Sequence, residues 1–99
     1  MKEYIYRQFL DNILSHLGIP ESSLFSKTQE RGMVEARQLL YYLCKKKGMR
    51  LSEIKLYMEK DGFYIKQQTI GHGVKKVENT ISNDPDYRVI ISKLNQIDI

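Results

Sequence analysis

Apolar residues recur along this chain at helical spacing, three and four positions apart, and hardly ever on alternate positions. Tyr6, Phe9, Leu10, Ile13, Leu14 and Leu17 share one face of a first helix, about residues 3–17. Gly18 supplies its C-terminal stop, and Pro20 two residues on cannot prolong it. The stretch ESSLF fits one short turn that tucks Leu24 and Phe25 against the core. SKTQERG, polar and basic, is either a loop or the frayed start of a second helix. That helix runs to about Lys47, with Ala36, Leu39, Leu40 and Leu43 as its buried stripe and Cys44 beside them as a small core residue. Gly48 ends it after three lysines, which suit the negative end of the helix dipole.

A third, short helix spans about 51–60, with Leu51, Ile54 and Met58 inward. Asp61-Gly62 stops it, and Phe63, Tyr64 and Ile65 form an apolar connector. The next stretch, IKQQTIGHGVKKV, holds two glycines, two adjacent glutamines and a histidine, a composition poor for a helix. Yet Ile70, Val74, Val77 and Ile81 fall within a narrow arc of one helical face. A glycine loop cradling phosphate would not keep that period, so residues 66–80 are read as a fourth amphipathic helix with its glycines off the core stripe. Asp84-Pro85 then signals a last helix, an N-cap followed by proline at the first helical position, with Tyr87, Ile90, Ile91, Leu94 and Ile97 inward. The expected fold is all-α: five main helices in one domain, residues 1–99, without linker or repeat. Its third and fourth helices match a helix-turn-helix whose turn is longer than the usual three or four residues.

Ninety-nine residues suffice for a modest core without metal or disulfide. No apolar run reaches the length of a membrane span, and charges interrupt the N-terminal apolar residues, so no signal peptide is expected. The single cysteine excludes an internal disulfide and suits a reducing cytoplasm. The charge is unevenly spread. Residues 27–76 carry 12 Lys/Arg against 5 Asp/Glu, a net +7, while the two ends together carry −3. Such asymmetry suggests a polyanionic partner, although a solvated lysine-rich face is the commoner explanation for any one cluster.

Catalytic signals are weak, and no enzyme is expected. There is no GxxxxGK[ST] loop for a nucleotide, and neither His16 nor His72 has a partner at metal-ligand spacing, so no cofactor is implied. The fourth helix is more informative. Gln68, His72, Lys75 and Asn79 lie opposite its apolar stripe, flanked by Thr69, Gly71 and Lys76. Glutamine pairs with adenine at two points, threonine meets thymine methyl or phosphate, and lysine serves phosphate or guanine. The plainer alternative is a polar surface helix whose glycines pack tightly against a neighbour.

The order SKTQERGMVEARQLLYYL, LSEI and TIGHGVKKVENTISNDPDY resembles the C-terminal DNA-binding domain (domain IV) of the bacterial replication initiator DnaA. There a basic loop leads to an ARQ-like helix, an LPEI-type helix and a signature of the form DHSTVIHGIKKIE. The resemblance covers nearly the whole chain and implies a Trp-repressor-like helical fold. It implies backbone contacts for Arg37 and Gln38, a major-groove role for Thr69 and Gly71, a phosphate contact for Lys76, and a basic loop position for Lys27. The sequence also departs from the pattern. Lys66-Gln67-Gln68 stands for the Asp-His-Ser/Thr triplet, Gln29 for the minor-groove arginine, and the turn is about four residues longer.

The expectation is therefore an ATP-independent binder of double-stranded DNA. Gln67, Gln68, Thr69 and Gly71 would face bases, with His72 and Lys75 at the margin and Lys66 among the DNA-binding residues beside them. Arg37, Gln38, Arg50, Lys55 and Lys76 would hold phosphates, and Lys27 or Arg31 would reach the minor groove. A chain without the family's ATPase would be an accessory or regulator of replication or transcription, of a phage or mobile-element kind. The competing expectation is a protein-interaction module, contacting replication proteins or copies of itself through a tyrosine-rich surface drawn from Tyr4, Tyr41, Tyr42, Tyr57 and Tyr64, several of which must be core.

Overall fold

A computed structural model describes residues 1–26 and 29–97. It contains α1 (Lys2–Leu17), α2 (Glu21–Leu24), α3 (Arg31–Lys46), α4 (Leu51–Lys60), α5 (Gln67–Asn83) and α6 (Pro85–Leu94). Among the described residues there is no strand, and no helix is long and apolar enough to cross a membrane. The five expected helices are present. The ESSLF turn is the extra short helix α2, and α5 runs three residues beyond its expected end.

Local chemistry sets the boundaries. Gly18 adopts a left-handed conformation at φ 65°, and its N–H and that of Ile19 both return to the Leu14 carbonyl. The Glu53 carboxylate accepts the N–H of Arg50 at 2.9 Å and the Lys2 ammonium at 2.9 Å, tying the start of α4 to the start of α1. Those two donors, the backbone one first, hold the Glu53 carboxyl below its ordinary range. Asp84 caps α6 by accepting the N–H of Asp86 at 3.1 Å, with Pro85 at the first helical position as expected.

The core is built around α3, which packs against α1, α2, α4 and α5. It buries Ala36, Leu39, Leu40, Tyr41, Leu43 and Cys44, more than the one stripe anticipated, because partners lie on several of its sides. Phe9, Leu10 and Ile13 of α1, Leu24, Ile54, Met58 and Ile70 complete it, each without solvent exposure. Full burial of an aliphatic or aromatic side chain of this kind contributes roughly 1.5–3 kcal/mol. Leu17, expected inward, is 42% exposed because α1 ends at that residue.

A polar knot fixes the end of α4. Tyr6 donates its hydroxyl to Asp61 at 2.9 Å, and Arg7 reaches the other Asp61 oxygen at 3.0 Å and Glu21 at 3.2 Å. Burial, then the Asp61 charge, raises the Tyr6 phenol far above its ordinary value. The expected tyrosine surface does not form as one patch. Tyr41 is buried, Tyr42 and Tyr57 are half-buried, and Tyr4 and Tyr64 are exposed.

Candidate nucleic-acid interface

The position of α5 follows from how its inner face is made. Ile70, Val74 and Val77 are buried as expected, and Gly73 is buried with them. A Cβ on Gly73 would meet Tyr41 Cδ2 at 2.8 Å and Gln38 Cγ at 3.1 Å. This corrects the sequence reading that put both glycines off the core stripe. Gly73 is the close-approach point between α5 and α3, and only hydrogen fits there. Gly71 differs, since a Cβ there would lie 3.4 Å from Leu51 Cδ1, an ordinary contact.

With its inner face so anchored, α5 turns Gln68, His72, Lys75 and Asn79 to solvent. Lys66, Gln67, Thr69 and Lys76 are exposed as well. Lys66, Lys75 and Lys76 make no ion pair among the described residues. Lys66 is the N-cap residue and supplies no side-chain cap. The first turn of α5 therefore keeps open N–H groups at the positive end of the helix dipole, beside an ammonium.

Two grooves flank this helix. One, about 470 Å³, is lined by Gln29, Arg31, Val34, Glu35, Gln38, Lys76 and Thr80, so it joins α5 to the start of α3. A smaller hollow continues from it between Gln29, Gln38, Phe63, Ile65 and Thr69. The other groove, about 380 Å³, lies among Lys45, Lys46, Leu51, Gly71, Val74, Lys75 and Glu78. The structure thus brings Arg31, Gln38, Thr69 and Lys76 along one flank of α5, and Gly71 with Lys75 on the other.

Several expected contacts stand differently. Arg37, expected on the DNA backbone, is only 5% exposed. Its Nη1 donates to the carbonyls of Leu24 at 2.9 Å and Ser26 at 2.8 Å, and its guanidinium lies 4.7 Å from the Phe63 ring centroid. Burial lowers its pKa from the ordinary arginine value. Arg37 holds the segment before α3 onto the connector before α5, an inward role the sequence did not announce. Lys55 is paired with Glu59 one turn along α4, and neither it nor Arg50, exposed at the head of α4, lines the three hollows. Arg31 is exposed and paired with Glu35 at 3.1 Å. Lys27 lies outside the described residues.

Sequence reasoning passed over Lys45 and Lys46, which it explained by the helix dipole alone. They also face Lys75 across a groove, and the signal for this was the lysine run itself. Among the described residues no group of three or more His, Cys, Asp or Glu side chains is placed to hold a metal ion.

Fold and site together define a small all-helical domain that presents one exposed, basic and amide-rich helix. No family model matches the chain, and no solved structure matches it. The chromosomal replication initiator protein DnaA of Lachnoclostridium phytofermentans is 29% identical over 92 residues, which cover 87% of this chain and 19% of that protein. The chain spans about a fifth of that relative's length, and the likeness supports a DnaA-like relationship.

Proposed function

We propose that this chain binds double-stranded DNA through α5, independently of ATP, with α4, the 61–66 connector and α5 acting as a helix-turn-helix. The observation that carries the reading is the outward face of α5. It exposes Lys66, two glutamines and a threonine at an uncapped N-terminus and Lys75 and Lys76 further along, the three lysines without an ion pair among the described residues, on a helix locked to the core by Gly73. The likeness to an initiator of chromosomal replication points the same way.

In this reading Gln67 and Gln68 face base edges, where a bidentate glutamine–adenine pair discriminates by about 1–3 kcal/mol. Lys66, Lys75 and Lys76 neutralise phosphates, with Gln38 and Arg31 along the same flank as Lys76. The lysine and glutamines at 66–68, where initiators resembling this chain carry Asp-His-Ser/Thr, give it a target sequence of its own. Its role is that of an accessory or regulator at an origin or promoter.

Fluorescence anisotropy with a random-sequence duplex at several salt concentrations tests this. Affinity falls steeply with salt, and replacing Lys66, Lys75 and Lys76 by glutamine flattens the log–log slope by about one per lysine. Unchanged affinity of the triple variant at moderate salt would refute the placement. Selection of bound sites from a random duplex library then reads out the base preference.

A further inference from the structure

The groove on the far flank of α5 has an apolar floor that phosphate contacts do not use. Its floor is apolar, made by Leu51, Gly71 and Val74, and its rim carries Lys45, Lys46 and Lys75. All three lysines are exposed. Lys45 and Lys75 have no ion pair among the described residues, and Lys46 has only a long one, 3.8 Å, to Glu78 at the edge. Gly71 keeps the floor open by lacking a side chain beside Leu51, whose Cδ1 lies 3.4 Å from the position of a Cβ. A phosphodiester strand makes use of the lysines but has nothing to place on an apolar floor. A peptide with an apolar side chain flanked by carboxylates uses both.

We infer that this groove docks an acidic peptide segment of a partner protein. One apolar side chain rests on Leu51, Gly71 and Val74, and neighbouring carboxylates meet Lys45, Lys46 and Lys75. Because Lys75 also belongs to the DNA-facing side of α5, the bound segment competes with duplex. That competition, but not the docking itself, rests on the DNA-binding reading. The device is a switch: an acidic partner removes the protein from DNA by covering one flank of its recognition helix.

The test uses a fluorescein-labelled short synthetic peptide of aspartate and glutamate with one central phenylalanine, titrated with the whole chain in the absence of DNA. Binding is expected to weaken about tenfold or more when alanine replaces the phenylalanine. Lys46→Glu is expected to weaken it similarly, whereas Lys93→Glu on α6, the same change of net charge, leaves it unaltered. Gly71→Leu, checked as folded by its thermal melt, abolishes binding by filling the floor. Equal binding of the alanine peptide, or equal losses with Lys46→Glu and Lys93→Glu, would overturn the inference, because general charge attraction then explains everything. Lys46→Glu weakening duplex while sparing peptide would overturn it too, making the groove a phosphate seat. In a second step, unlabelled phenylalanine peptide displaces labelled duplex. If no duplex binds at all, the DNA reading fails while docking stands on the direct titration. If duplex binds and peptide does not displace it, the switch is refuted.

Discussion

Replacing Gly73 by alanine separates the two glycines of α5 by sign. The added methyl carbon would sit 2.8 Å from Tyr41 Cδ2 and 3.1 Å from Gln38 Cγ, against an optimum of about 3.5–4.0 Å for carbon pairs. Tyr41 is 3% exposed, so relief requires a buried ring to shift or α5 to move off α3. Overpacking of this kind costs about 1–3 kcal/mol, and the confined ring puts this case near 3. Alanine returns about 1 kcal/mol in helix propensity, leaving a net loss of about 2 kcal/mol. For a domain of this size that lowers Tm by roughly 8–16 °C. Gly71→Ala carries the same propensity gain and meets only Leu51 at 3.4 Å, so its Tm rises by roughly 4–8 °C. Thermal melts by circular dichroism on the two variants and the parent decide the matter. The propensity term cancels between them, so a shift in the same direction and of similar size for both would refute the account of how α5 is seated.

Three further outcomes follow from the same structure. Lys66→Asp places a capping carboxylate at the open N-terminus of α5, so it stabilises the fold by about 1 kcal/mol in urea titrations while weakening duplex binding; a loss of stability would contradict the N-cap assignment. Arg37→Ala leaves the Leu24 and Ser26 carbonyls without that donor and uncovers the Phe63 ring, costing about 3 kcal/mol; a loss below about 0.5 kcal/mol in urea titrations would place Arg37 at the surface instead. Burial pushes the Tyr41 phenol up to about 12 and that of Tyr6 higher still. The folded chain therefore holds these protons more tightly than the unfolded chain does. Stability is fully present below the unfolded value near 10 and falls above it by about 1.4 kcal/mol per pH unit for each phenol. Urea titrations between pH 9 and 12 should show this fall, to which the Cys44 thiol, also raised by burial, adds; Tyr41→Phe makes the slope shallower without abolishing it, and a flat profile would show that these groups are not buried.

Much of the fold was legible because helix periods and boundary residues act locally. Gly18, Gly48, the Asp61-Gly62 pair and Asp84-Pro85 end or begin helices by backbone chemistry that needs no partner, and each lies where a boundary falls. The inward stripes of α4 and α5 were readable for the same reason. Several side chains of the candidate interface were also legible as solvent-facing, since Gln68, His72, Lys75 and Asn79 lie opposite an apolar stripe.

What the sequence determined by itself is thus an all-helical chain, the faces of its helices, and a surplus of positive charge in its middle. Tertiary structure decided how each charge and each glycine is used. Arg37 resembles a backbone-contacting arginine in its motif, yet two carbonyls and the Phe63 ring, at 24, 26 and 63 in the chain, draw it inward. Gly73 was indistinguishable from Gly71 until Tyr41 was found against it. Lys45 and Lys46 belonged to a helix end until the fold set Lys75 across a groove from them. A helical period specifies which way a residue points from its own axis. What it points at is settled by packing between segments distant in sequence, and there a buried contact or a shared groove outweighs local preference.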